Sequence, residues 1–560
     1  MQTKFFTLTQ LGILALRALP LIFLALFFFY PLVSIFTVSL APDGVINLSG
    51  FSRLVTSDYY RQTFGFTIFQ ALLSTALTLA FALPAAFVFA RFQFPGKSLL
   101  LSLSTLPFVL PTVVVAAAFG ALIGENGVVN QLLIGLFRLE DAPIQLEGTL
   151  GIILIAHIFY NFSVALRIIG GFWATLDPRM EEAARVLGAR GWQLWLYIRL
   201  PALSPAIFAA AILVFIFTFT SFGVVLILGG IRFATLEVEI YNQARNIFNL
   251  QMAAALSLVQ IGFMFILMLV YTRLQRGSSA DLRAARQIAR PPRGAREKTF
   301  VGAILTFMLI LQFTPLVALI WRSLTVGNEG FTTRFYGLLS TNVRGSVLFA
   351  PPLEAIGNSI AIAITSTLLS VLLGLITAYT LGRAESRAAK WLDPVFMLPL
   401  ATSAVTLGFG FIIALDEPPL NLRTSILLIP IAHTLVAMPF VVRSVLPAVR
   451  SISPNLRGAA QVMGASPFQV WRLIDLPLIA RGLIVGAVFA FTVSMGEFGA
   501  SLFIARPDTP TIPIVIFRLL GQPGAANYGQ ALAMSTILML VCGCAFILIE
   551  RFRSLGMGEF

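Results

Sequence analysis

Twelve stretches of the chain run for about 20 residues or more with few charges, the length needed to cross roughly 30 Å of hydrocarbon. They fall near 11–40, 64–90, 99–123, 149–170, 204–228 and 251–273, and again near 300–322, 355–382, 392–415, 424–446, 479–504 and 529–551. The pattern predicts an all-α polytopic membrane protein with six spans in each half. An even number per half sends both halves into the membrane the same way round, as a parallel repeat. The first stretch follows Lys4 and is too long for the 7–15-residue apolar core of a cleaved signal, so it is expected to remain as an anchor. Composition agrees with the pattern. The chain is 58% hydrophobic and 11% charged with a mean hydropathy of +0.91, and a soluble domain of that make-up would expose large apolar patches.

The halves are copies of one another. An offset of 276 residues carries Ala183-Ala184 onto Ala459-Ala460, Gly188 onto Gly464, Leu200-Pro201 onto Leu476-Pro477, Trp195 onto Trp471, Arg167 onto Arg443 and Phe222-Gly223 onto Phe498-Gly499. It also carries His157 onto His433, the only two histidines. Upstream the offset is 292, pairing Arg91 with Arg383, Pro107 with Pro399 and Ser74-Thr75 with Ser366-Thr367. Self-similarity on this scale predicts two folded units of one topology: a first repeat at 1–273, a basic linker at 274–298 and a second repeat at 299–560.

The net charge of +14 is placed by the loops. Arg273, Arg276, Arg283, Arg286, Arg290, Arg293, Arg296 and Lys298 lie between the halves, and Arg179, Arg185, Arg190, Arg199, Arg450, Arg457 and Arg472 lie in the repeated loop. The positive-inside rule makes these segments cytoplasmic, and both termini with them. Membrane topology therefore accounts for the charge, and no nucleic-acid partner is expected.

The repeated loops, about 171–203 and 447–478, carry helix punctuation. Asp177-Pro178 and Ser453-Pro454 pair an N-cap side chain with proline at the first helical position. Gly188 and Gly464 suit a left-handed helix end. A second short helix is expected over Trp192–Arg199 and Phe468–Asp475, stopped by Pro201 and Pro477, with the next span beginning just beyond. Two capped copies of one connector ask for a partner that docks on both.

This loop resembles the EAA loop of type I ATP-binding-cassette importer permeases, E-A-A, three residues, G, nine residues, I-x-L-P. The first copy matches with Glu182, Ala183, Ala184 and Gly188. The second has Ala459, Ala460 and Gly464, with Gly458 in place of the glutamate. The likeness spans the chain, and the stretch from Ser221-Phe222-Gly223 through Gly229-Gly230 to Thr235-Leu236-Glu237 and Tyr241 is most similar to the fused thiamine and ferric-iron branch of that class. The resemblance implies the MetI-like fold and a permease of a bacterial cytoplasmic membrane. It also implies two copies of a separate ATPase subunit docked on these eight residues, an extracytoplasmic binding protein, no cofactor, and ferric iron or thiamine as the solute. Polyamines and sulfate stand behind those two.

The chain lacks the chemistry for hydrolysing ATP itself. Gly96-Lys97-Ser98 ends like a phosphate-binding loop, but Arg91 stands where the first glycine is required. His157 and His433 make an incomplete metal set and are expected to be hydrogen-bonded within the bundle. Cys542 and Cys544, two apart on one helix, predict neither disulfide nor metal. Glu497, whose repeat equivalent is Ser221, is an ionisable residue in an apolar helix and so a candidate for the translocation path. Its alternative is a boundary position paired with a neighbour such as Arg506. Asn161, Asn358, Gln70 and Gln260 are weaker lining candidates. The rival reading, a secondary transporter of the major-facilitator type, expects aspartate and paired arginines after the second span, where this chain has Arg91-Phe92-Gln93-Phe94-Pro95-Gly96-Lys97. An intramembrane enzyme would need a nucleophile and base, which the sequence does not offer.

Overall fold

The computed structural model describes residues 8–42, 44–177, 179–278, 289–327, 330–341, 351–383, 387–416, 418 and 420–554. Lys4, Pro178, Arg283 and Arg286 lie outside the described residues, as do the side chains of Arg276 and Arg383. Among the described residues the regular elements are all helices, with no strand and only an isolated bridge between Phe92 and Arg290. Among the described residues eleven helices are long and apolar enough to span a membrane, or twelve if the pair Leu392–Leu400 and Ala404–Ala414, bent by 94°, counts as one.

That bend has a counterpart in the first repeat. The stretch expected at 99–123 is broken at Leu110-Pro111, both in extended conformation, and the spanning segment begins at Thr112 and runs to Phe137 as two helices, Thr112–Ile123 and Val128–Phe137. Pro107 and Pro111 have no N–H to donate, so a continuous helix through them would lose its ladder. At the equivalent point of the second repeat Ser403 breaks the helix, and its hydroxyl caps the N–H groups of Val405 and Thr406.

The chain forms two compact units, each drawing on both repeats. One comprises 51–239 and 259–332, the other 1–50, 240–258 and 333–560. The first repeat's opening helix thus belongs with the second repeat's core, and Gly294–Ser323 belongs with the first's. In the 51–239 unit, Asp58–Arg91 packs along Leu150–Thr175, and Leu200–Phe219 lies on both. Ala82, Ala85 and Ala86 sit in a buried cluster with Phe162, Leu166 and Trp173. Small residues let helix backbones approach where lipid gives no hydrophobic drive to association.

The other unit repeats the arrangement with Pro352–Arg383, Leu428–Ser451 and Leu476–Gly496. Its contacts are closer. A Cβ at Gly482 would lie 2.6 Å from the Ser444 carbonyl oxygen, and one at Gly486 3.1 Å from Val441 Cα. Gly482→Val is therefore expected to push two helices apart and lower the stability of the folded permease by about 1–3 kcal/mol, read as a lower thermal unfolding midpoint in detergent. An unchanged midpoint would show that the contact relaxes freely.

Candidate functional site: the repeated loops

The loop between the fourth and fifth spans opens at Asp177, whose Oδ1 accepts from the Arg179 N–H at 2.9 Å. A helix follows over Arg179–Val186. In the second copy Ser453 caps a helix over Pro454–Val462, accepting from the Asn455 N–H. Both helices end alike. Gly188 has φ +88° and Gly464 φ +86°. Past each glycine the chain turns back, with Ala189 N–H donating to the Ala184 carbonyl at 2.9 Å and Ala465 N–H to Ala460 at 3.0 Å. That six-to-one bond with a left-handed glycine is a Schellman end.

The second helix of each loop is not a separate element. Leu194–Arg199 and Trp471–Asp475 are π-helical and run directly into Leu200–Phe219 and Leu476–Gly496, so Pro201 and Pro477 do not stop it. The wider turn opens the helix just where the proline ring would meet the preceding carbonyl. The spans therefore begin inside the loops, at Leu194 and Pro467, and end before Ser221 and Glu497.

Of the residues carrying the loop motif, Ala184 and Ala460 are buried, while Glu182, Ala183, Ala459, Gly188 and Gly464 are exposed and Gly458 is partly so. The helix tips present apolar side chains outward in both copies. Val186 and Leu187 are each 88% exposed, and their equivalents Val462 and Met463 are 89% and 81% exposed.

Underneath lies a set of charges, of which Arg199 and Arg457 were read from sequence only as markers of topology. Glu181, one residue before the motif glutamate, is buried and receives Arg199 Nη2 at 2.9 Å and Nε at 3.2 Å, and also Arg91 from the end of the second span. Burial alone would raise the Glu181 carboxyl, but the Arg199 hydrogen bond and the charges of Arg91 and Arg199 hold it below the ordinary carboxylate range. The Arg199 guanidinium lies over the rings of Phe87 and Trp195, 5.1 and 5.2 Å from their centroids. In the second copy Arg457 Nε donates to Asp475 Oδ1 at 2.7 Å. Beside the first copy, Arg185, Arg190, Arg199 and Trp195 line a cavity of about 390 Å³. At the equivalent positions the second copy has Gln461, Ser466, Asp475 and Trp471.

The two histidines are buried, with both ring nitrogens hydrogen-bonded. His157 meets Ser74 Oγ and Ser221 Oγ, each at 2.9 Å. His433 meets Ser494 Oγ at 2.7 Å and Ser501 Oγ at 2.8 Å, and its Nε2 lies 3.2 Å from Glu497. Thus Ser221 and Glu497, equivalent in the repeat, each contact the histidine of their own repeat. Glu497 is buried. It accepts from Ala500 N–H at 2.7 Å, Ser501 N–H at 2.9 Å and Ser501 Oγ at 2.6 Å, at the start of the helix Gly499–Ile504. Arg506 is not its partner: that guanidinium donates to the Thr424 carbonyl and lies beside Asp508.

The amides first considered as lining residues make bonds within the protein. Gln70 donates to the Thr218 carbonyl at 2.9 Å, Asn358 to the Pro510 carbonyl at 3.3 Å, Asn161 to the His157 carbonyl at 3.0 Å, and Gln260 to Glu237. Glu237 was named from sequence only as part of the stretch that carries the resemblance, and a second buried carboxylate, Glu239, which accepts from Tyr59 Oη at 2.7 Å, was not singled out. Their repeat equivalents are Pro513 and Val515. Backbone support is shared by both copies. Leu236 N–H donates to Thr67 Oγ1 at 3.0 Å and Ile512 N–H to Ser359 Oγ at 2.8 Å.

Residues 82–280 and 370–554 match the family described as binding-protein-dependent transport system inner membrane component. The chain is 28% identical over 509 residues to the thiamine transport system permease protein ThiP of Brucella abortus, covering 90% of each chain. It is 25% identical over 519 residues to ThiP of Salmonella typhimurium, covering 91% of each. It is 26% identical over 553 residues to the ferric transport system permease protein FbpB of Actinobacillus pleuropneumoniae, covering 94% of this chain and 76% of the relative. With the family matched twice, across more than half of its length, the chain belongs to the inner membrane components of binding-protein-dependent transport systems, as a fused permease with two copies of the domain.

Proposed function

We propose that this permease imports thiamine or ferric iron, delivered by an extracytoplasmic binding protein, and that hydrolysis of ATP takes place on a separate subunit docked on the two loops. The observation that carries the docking is the repeated pair of apolar tips. Val186, Leu187, Val462 and Met463 stand almost fully exposed on short, well-capped helices. Exposed apolar groups held rigid in equivalent places mark a contact surface. Beside them Glu182, Ala183 and Gly188, with Gly458, Ala459 and Gly464, form the rest of the docking face, and the buried Ala184 and Ala460 seat its two helices against the fold. The loops and both termini are cytoplasmic in this reading. The solute follows the names of the thiamine and ferric relatives. Ser221 and Glu497 enter as path residues, on the strength of their equivalence where the fifth and eleventh helices break.

One chain supplies both loops, so the expected complex is one permease with two ATPase subunits. Native mass spectrometry of the purified complex reads this directly, and a permease dimer as the main species would overturn it. Uptake of labelled thiamine and of ferric iron into vesicles carrying the full complex assigns the solute. Transport of neither, with the binding protein and ATPase present, would remove both from the proposal.

A further inference from the structure

Glu181 and Arg199 are 18 residues apart, at the two ends of the first loop. Shifted by 276, they fall on Arg457 and Asp475. Both pairs are ion pairs, and the sign is reversed: acid on the loop helix and base on the span in the first copy, base on the loop helix and acid on the span in the second. The pairs sit between the first turns of the loop helix and the π-helical base of the following span. Asp475 is fully buried and Glu181 nearly so.

We propose that Glu181–Arg199 and Arg457–Asp475 are equivalent braces, each fastening its docking helix to the base of the fifth or eleventh span so that movement at the apolar tip is passed to the membrane helix. This rests on the docking role proposed above. A helix of 8 or 9 residues is marginal in isolation and keeps its place only through tertiary contacts. The Schellman end fixes one terminus of each loop helix, and the brace fixes the other. The reversal of sign is what identifies the pair as the selected feature: each position differs between the repeats, yet attraction at the same point is kept. Arg91 adds a third element to the first brace by reaching Glu181 from the end of the second span. These five are positioning residues.

The test is made in the second copy, where the first repeat already shows that the opposite polarity fits the same backbone. Arg457→Glu, Asp475→Arg and the double reversal are assembled with the ATPase and binding protein. Stimulation of hydrolysis by loaded binding protein is compared with the basal rate. Each single reversal is expected to lose stimulation by about tenfold or more while the ATPase still co-purifies, and the double reversal to recover to within about threefold of the parent. A double reversal no better than the worse single variant overturns the brace, as do single variants with normal stimulation. Should a single variant fail to fold, recovery of the thermal midpoint in the double supports the brace and its absence overturns it. Cross-linking of the ATPase to Leu187→Cys and Met463→Cys in an otherwise unaltered permease tests the docking reading separately, since its failure leaves the rescue result standing.

Discussion

Gly188→Arg is expected to reduce stimulated ATP hydrolysis by about tenfold or more, and Gly464→Arg by distinctly less. The backbone cost is common to both, because φ is +88° and +86° and a side chain in that region costs on the order of 1–2 kcal/mol. Neither site is crowded, with nothing within 4 Å of a Cβ built on either glycine. The difference comes from charge. A guanidinium added at 188 falls in sequence between Arg185 and Arg190, which with Arg199 line the cavity beside the first copy, whereas around 464 the matching positions are Gln461, Ser466 and Asp475. One further like charge at loop distances costs about 1 kcal/mol or more, and 1.4 kcal/mol is a factor of ten. Glu182 belongs to the first loop alone, so disturbance there also reaches a carboxylate that Gly458 lacks. Gly188→Ala separates the terms, since it keeps the strain without the charge and should lie between the parent and the arginine variant. Equal losses for the two arginine variants would mean that the loops couple alike.

Most of the architecture was legible in the chain because hydropathy and duplication are both written in residue identity. The breaks at Leu110-Pro111 and Ser403 were not, since the apolar run continues through them and only the prolines and a serine cap mark the interruption. The loop helices were misjudged for a related reason. Proline ordinarily ends a helix, and nothing in the sequence announces that a π-turn will carry Leu194–Arg199 past Pro201. The braces do not show in the identities that mark the repeat. Matching identical residues scores 181 against 457 and 199 against 475 as two unrelated differences, yet each difference compensates the other. The burial of Glu237 and Glu239 escaped because a short acidic helix between spans looks like a solvated connector until Tyr59 and Gln260 are seen to close over it.

Glu497→Gln is expected to lower the stability of the permease by about 1–3 kcal/mol, more than an exposed carboxylate loss would. Both carboxylate oxygens are acceptors in place: Oε1 takes the Ala500 N–H, and Oε2 takes the Ser501 N–H and hydroxyl. An amide turns one of those oxygens into a donor and sets N–H against N–H in a buried site, where an unmet polar group is costly. Glu497→Ala removes both acceptors and should cost more, leaving the first turn of Gly499–Ile504 unpaired. The same variants test the path role, provided uptake is counted per folded molecule. A glutamate that meets a cationic solute, such as thiamine or a ferric species, is expected to lose uptake severalfold when its charge is removed, beyond what the thermal midpoint explains. A glutamate that only caps a helix and holds His433 gives fewer folded molecules, each transporting at the parent rate. Ser221→Ala is the matching change in the first repeat. It removes the His157 contact at 2.9 Å without removing a charge, so a loss of cation uptake in Glu497→Gln with none in Ser221→Ala places the effect on the charge. Unchanged uptake per folded molecule in Glu497→Gln takes Glu497 off the path and leaves it a structural cap.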